Sequence, residues 1–223
     1  MEKRIIVSGG GKLRAFDAQH LSLLGEVPLG GSGALCAGEG CVFCACDDDS
    51  AVYRVDPLTL LPQSVYTGGP QMRTICLSRD KSRLYILCSG ADSVLMLSAY
   101  DGAPMMLARV GVNPQSLRLD DTGERLVIAG GRDGCVHLLC AGTLSALFCL
   151  RGEGFCADAI LRRGKIRALR LGGKETFASP GRVIHIPGGA LIVDSASERL
   201  FSFGREGGRV VCEGARDAVL APG

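Results

Sequence analysis

At 223 residues, with 47% of them apolar and 32 glycines, the chain is long enough to bury one large core. A formal charge of +2 argues against a globally basic nucleic-acid binder or membrane-surface protein, and no apolar run nears the ~20 residues of a spanning helix. With no tryptophan and 5% aromatics, the core has to be built from Leu, Val, Ile, Ala and Cys.

Taken in order, the chain reads as short apolar strands between Gly, Asp and Ser turns. Arg4–Val7, Leu13–Phe16 and Leu23–Leu29 form a first, three-stranded unit. Ala34–Ala37, Cys41–Cys46, Ala51–Val55 and Ser64–Thr67 form a second, whose strands we letter a, b, c and d. A third comprises Arg73–Ser78, Arg83–Cys88, Ser93–Ser98 and Met105–Val110, and a fourth Gln115–Leu119, Arg125–Ala129, Cys135–Cys140 and Ala146–Leu150. Shifting the fourth unit back by about 42 residues lays Arg125 on Arg83, Ile128 on Ile86 and Val136 on Val94.

Beyond Gly152 the register loosens. Phe155–Leu161 and Lys165–Leu171 stand where a and b strands belong, and Gly172–Gly181 leaves little room for more. A clearer unit follows at Val183–Ile186, Ala190–Asp194, Leu200–Phe203 and Val210–Glu213, and Asp217–Gly223 adds one more a-like strand. That last strand suits the place in front of Arg4, so the two ends are expected to pair in one sheet and remove an exposed edge. The expectation is an all-β β-propeller, a single domain over residues 1–223 with six short blades and a degenerate fifth; five blades with an inserted hairpin is the alternative.

The runs SRDKSRLYILCSGADSVLMLSAYDG and DDTGERLVIAGGRDGCVHLL resemble the YVTN-type β-propeller repeat, roughly S-P-D-G-K-R-L-Y-V-A followed by an Asn/Asp turn and V-x-V-x-D. The resemblance covers Gly33 to Gly152 well, the N-terminal unit partly and residues 153–223 weakly, and it departs from the WD-repeat subclass in lacking a Trp-Asp dipeptide. It implies a propeller and leaves function open, because propellers host enzymes and scaffolds alike.

The 11 cysteines are an odd number, and several (Cys44, Cys76, Cys88, Cys140, Cys149) sit inside apolar strand-like runs. There a thiol behaves as a small hydrophobe, which suits a reducing cytoplasm. Residues 1–12 carry too short an apolar run for a signal peptide, so a cytoplasmic location is expected. Cys41-x-x-Cys44-x-Cys46 has zinc-like spacing, but on a strand Cys41 points away from the other two. Asp47-Asp48-Asp49 falls in a b–c loop where the repeat already wants one acid as a turn former. Neither sets up a metal site, His20, His137 and His185 stand in unlike positions, and no cofactor is expected.

A basic run from Arg162 to Lys174 would, along a strand, align Arg163, Lys165 and Arg167 on one face. Without interleaved aromatics it reads as a solvated hairpin edge in preference to a nucleic-acid groove. If the blades close into a ring, the d–a and b–c loops emerge at one end. They would gather Asp48, Asp49, Gln71, Arg73, Asp92, Asn113, Gln115, Arg132 and Asp133 on a rim, with Pro70-Gln71 echoed by Pro114-Gln115. The sequence therefore leads to a non-enzymatic scaffold binding a protein or peptide partner through that face, with a small molecule as a further option. A lactonase-like hydrolase using rim acids such as Asp48 and Asp49, with or without a divalent metal, is the rival.

Overall fold

The structure, a computed structural model, describes residues 3–31, 33–152, 155–171, 180–186, 189–194, 199–204, 207–213 and 217–222. In chain order the strands are β1 (Lys3–Gly9), β2 (Lys12–Asp17), β3 (Leu23–Pro28), β4 (Gly33–Ala37), β5 (Val42–Cys46), β6 (Ala51–Val55) and β7 (Pro62–Thr67). There follow β8 (Met72–Leu77), β9 (Arg83–Cys88), β10 (Ser93–Ser98), β11 (Pro104–Arg109), β12 (Ser116–Leu119), β13 (Arg125–Ala129), β14 (Val136–Cys140) and β15 (Ala146–Leu150). The last are β16 (Phe155–Arg162), β17 (Lys165–Leu171), β18 (Pro180–Ile186), β19 (Gly189–Asp194), β20 (Arg199–Gly204), β21 (Gly207–Glu213) and β22 (Asp217–Pro222). Between β9 and β10 lies one 3-10 turn, Ser89–Ala91.

These strands make six antiparallel sheets among the described residues: β22-β1-β2-β3, β4 to β7, β8 to β11, β12 to β15, the two-stranded β16-β17, and β18 to β21. The expected joining of the chain ends is present, with Ile5 opposite Leu220 and Ile6 opposite Val219. Where the degenerate fifth unit is expected, the described residues form the β16-β17 hairpin; residues 172–179, most of the expected gap Gly172–Gly181, lie outside the described residues.

The chain divides into two compact units, residues 1–65 with 176–223, and residues 66–175. In the first, alternate side chains of β1, β2, β4, β5 and β22 meet in a core that includes Ile6, Leu13, Leu35, Val42, Cys44, Cys46 and Val219. Cys44 and Cys46 are thus core side chains, their sulfurs 3.6 Å apart. Arg4 ties β1 to the segment after β6 by donating to the Leu58 carbonyl at 2.9 Å.

In the second unit, one core layer lies between the β8 to β11 and β12 to β15 sheets and includes Tyr85, Leu87, Val94, Met96, Leu126, Ile128 and Leu139. Another lies between the β12 to β15 sheet and the hairpin, with Val127, Val136, Leu138, Cys156, Ala159 and Leu161. Val136 and Leu138 face one layer and Leu139 the other, as strand alternation requires. The hairpin is held by two backbone bonds between Gly131 and Cys156, and by Arg118 gripping Asp158 with two hydrogen bonds at 3.0 and 2.8 Å.

The c–d turns share one construction that their letters do not advertise. Leu21, Leu60, Gly102 and Leu144 each return an amide to the carbonyl four residues back, on Asp17, Asp56, Ser98 and Cys140. All four take positive φ, from 51 to 74. The side chain at the head of the turn accepts the amides that follow: Asp17 takes Gln19 and His20, Asp56 takes Leu58 and Thr59, and Ser98 takes Tyr100. Cys140 occupies the same place in the fourth sheet.

Candidate functional site

Apart from Arg73, which lies on β8, the predicted rim residues sit in b–c and d–a loops, and most are occupied in shaping those loops. In the first unit, Asp48 and Asp49 lie in the exposed β5–β6 turn. Asp49 accepts from the Ala51 amide at 3.3 Å and from the Tyr53 hydroxyl, and that second bond pushes the Tyr53 phenol up to about 12. Among the described residues no third donor completes a metal-binding group around these two carboxylates.

In the second unit, Asp92 accepts the Asn113 amide at 2.7 Å, and Gln115 donates to the Asn113 carbonyl at 2.5 Å. Asp133 accepts the Cys135 amide at 2.8 Å and faces His137 Nε2 at 3.1 Å. Arg73 donates to Ser89 Oγ at 3.1 Å, and that hydroxyl donates to the Gln71 carbonyl. Gln71, Arg73 and Arg132 remain exposed.

Two expectations are corrected by backbone geometry. The twin of Gln71 is Asn113, not Gln115: Gln71 and Asn113 share positive φ, 51 and 54, just ahead of β8 and β12. The same step sets Arg73 opposite Gln115, so the two Pro-Gln pairs are not equivalent. The basic stripe is also broken. Arg162 pairs with Lys165, and Arg163-Gly164 is the two-residue turn between β16 and β17, with φ 48 and 72. Turns of this kind demand left-handed backbone at both positions, which suits Gly164. Arg163 thus leaves the strand face, while its amide donates to Asp121 at 3.2 Å. Arg163 and Lys165 are exposed, and the Arg167 side chain and Lys174 lie outside the described residues.

A concavity of the second unit lies at the other end of its sheets, among a–b and c–d loops. A cleft of about 530 Å³ is lined by Arg79, Arg83 and Arg125 together with Tyr85, Cys140 and Leu147. Asp80 and Glu124 also reach it. Asp80 is engaged within its own loop, accepting Ser78 Oγ at 2.5 Å and Ser82 Oγ at 2.8 Å, and these bonds hold its carboxyl down at about 2. Arg79 donates to the Thr122 carbonyl at 3.2 Å, bracing one a–b loop against the next. Tyr85 spans the floor and donates to the Ala141 carbonyl at 2.8 Å; burial raises its phenol above the ordinary value. Cys140, at the head of its turn, accepts from the Thr143 hydroxyl and from the Gly142 and Thr143 amides, which lowers its thiol below the ordinary value. Leu147 of β15, which lines this opening, is 52% exposed, and Phe148 and Leu150 further along the strand are exposed as well.

Sequence reasoning also passes over one cluster. Donor atoms of Cys135, His137 and Cys149 all lie within 4.8 Å of one another. Cys135 and His137 are two residues apart, and Cys149 is the residue opposite His137 across the β14–β15 ladder. The signal that joins them is strand register, which linear spacing does not carry.

No protein-family model matches the sequence, and a comparison with curated proteins finds no match. Solved structures do match in shape. One from Kuenenia stuttgartiensis, hydrazine synthase, has a TM-score of 0.67 at 13% identity and covers 88% of this chain and 71% of that one. A chain of the mitotic checkpoint complex has a TM-score of 0.63 at 13% identity, covering 93% of this chain and 61% of that one. A functionally unknown protein from Desulfotomaculum acetoxidans has a TM-score of 0.63 at 10% identity and is covered, like this chain, over 99%. At such identities the likeness carries the fold alone, an all-β, propeller-like arrangement of four-stranded sheets.

Proposed function

We propose that the chain is a non-enzymatic cytoplasmic β-propeller of YVTN-like repeats that binds a protein or peptide partner. In this reading it is one domain of six blades, with the β16-β17 hairpin as the short fifth blade. Cysteines packed as core side chains, such as Cys44 and Cys46, fit a reducing compartment. The observation that carries the proposal is the cleft of about 530 Å³, where Arg79, Arg83 and Arg125 face the opening beside the apolar edge of β15. Guanidinium groups pair with carboxylates through forked hydrogen bonds, and Leu147 offers an apolar neighbour to that pairing. The matching ligand is an acidic peptide segment with an adjoining apolar residue. At the opposite loop end of the second unit, Gln71, Arg73 and Arg132 form a second, polar contact surface, while Asp92, Asn113, Gln115 and Asp133 chiefly maintain the loops that present it. In the first unit, Asp49 shapes the β5–β6 turn, beside the exposed Asp48.

The test is a display library of random peptides panned against the full chain, followed by titration of the recovered peptides. Acid-bearing peptides whose affinity falls with salt and is lost in the triple variant R79E/R83E/R125E support the reading. Recovery of no peptide, or equal binding by the variant, overturns the cleft assignment. Loss in R73E/R132E alone moves the site to the opposite end.

A further inference from the structure

The cluster at Cys135, His137 and Cys149 is built from three elements that converge on one face of one hairpin. Cys135 ends the β13–β14 loop, and His137 follows it two residues later on the same side of β14. Cys149 on β15 stands opposite His137. Cys135 is buried at 7% exposure, His137 is half-buried and Cys149 is exposed, so the group runs from the interior to the surface. The three donor atoms lie within 4.8 Å of one another. A tetrahedral zinc with Zn–S near 2.3 Å and Zn–N near 2.0 Å sets ligand-to-ligand edges of about 3.5 to 3.8 Å. The side chains need to close by only about 1 Å on such an ion, well within rotamer adjustment.

Two further features suit a metal site. Asp133 Oδ2 faces His137 Nε2 at 3.1 Å, the arrangement by which an outer carboxylate orients a ligating imidazole and leaves its other ring nitrogen to bind. Gly111 closes over both groups. A Cβ there would fall 2.8 Å from Asp133 Oδ2 and 3.0 Å from His137 Nε2, at a backbone φ of +55 that already favours glycine. From these residues we infer that Cys135, His137 and Cys149 form a three-ligand site for a thiophilic divalent cation of the zinc class, with Asp133 positioning the imidazole and the fourth position open to solvent or to an outside donor. Two thiolates and an imidazole select zinc over calcium or magnesium, which take oxygen ligands. The site clips the exposed β15 strand to β14 and is independent of the cleft.

The full chain, purified in a phosphine reductant and stripped with a chelator, is titrated with Co²⁺ and then with Zn²⁺. One Co²⁺ per chain is expected, with tetrahedral visible bands and a thiolate charge-transfer band that Zn²⁺ abolishes. C149S changes an exposed residue and is expected to fold; it should cut the charge-transfer intensity and weaken binding about 100-fold or more, as should H137A. D133N is expected to weaken binding about 10–100-fold while leaving the bands in place, the mark of a positioning role. C140S should leave the titration unchanged. No cobalt spectrum in the reduced wild type overturns the proposal. So does a spectrum that C149S leaves intact, or one that C44S abolishes, since that metal would belong to the core thiols.

Discussion

Replacing Tyr85 with Phe removes one oxygen from the floor of the cleft and tests how the second unit is held together. Tyr85 is fully buried, and its hydroxyl donates to the Ala141 carbonyl in the c–d turn of the neighbouring sheet at 2.8 Å. A neutral hydrogen bond contributes about 0.5–1.5 kcal/mol net, and a buried carbonyl left without a donor costs about 1–3 kcal/mol. The ring itself stays in place among Leu126, Ile128 and Leu139, so no cavity opens. The expected loss is therefore about 1–2 kcal/mol, against about 3–5 kcal/mol for Tyr85→Ala, where packing is lost as well. Denaturant melts followed by circular dichroism measure both, with an unchanged slope showing that compactness is preserved. If Tyr85→Phe matches the wild type within about 0.3 kcal/mol while Tyr85→Ala is strongly destabilised, the bond between the two sheets is not what anchors the turn.

Acid should act on Asp80, whose carboxyl is held down at about 2 by Ser78 and Ser82. A depressed folded-state value means that its contribution is complete above the ordinary 3.8 and drains away as pH falls through about 2. Asp80 is exposed, so this amounts to no more than about 1 kcal/mol, and Asp80→Asn should flatten the stability profile between those two values. A profile that keeps its slope in the variant would assign the acid sensitivity elsewhere. For Cys140, iodoacetamide labelling read by peptide mass mapping should show a pH midpoint below the ordinary thiol value of 9.0, moving upward in Thr143→Val. An unmoved midpoint would mean that the Thr143 hydroxyl does not stabilise the thiolate.

Strands such as Ala51–Val55, Arg83–Cys88, Ser93–Ser98 and Arg125–Ala129 are legible to the residue, because aliphatic runs there end sharply at Gly, Asp or Ser. The pairing of β1 with β22 is legible for a related reason: a repeat with a strand to spare at one end and one lacking at the other has a single economical solution. The c–d turns are not legible, because one backbone path accepts Asp17, Asp56, Ser98 or Cys140 at its head. Leucine at positions 21, 60 and 144 gives no hint of the left-handed conformation it adopts. The Gln71 and Gln115 pairing misleads because like letters two residues out of step outweigh an unlike pair, Gln71 and Asn113, in step. The cleft escapes notice for a simpler reason. Arg83 and Arg125 stand at ordinary strand starts and Arg79 in an ordinary turn, and only the stacking of two sheets turns them toward a common space.

The pairing of Lys3–Gly9 with Asp217–Pro222 also dictates an order of events during synthesis. The β1-β2 hairpin leaves the ribosome with an unclaimed edge, which stays open until Asp217–Pro222, about 200 residues further along, has been translated. At about 5–20 residues per second, that delay lasts on the order of ten seconds or more. Throughout it, Ile5, Ile6 and Val7 offer a ready template to any passing strand, so a nascent chain stalled short of Asp217 is a natural client for chaperones that shield β edges.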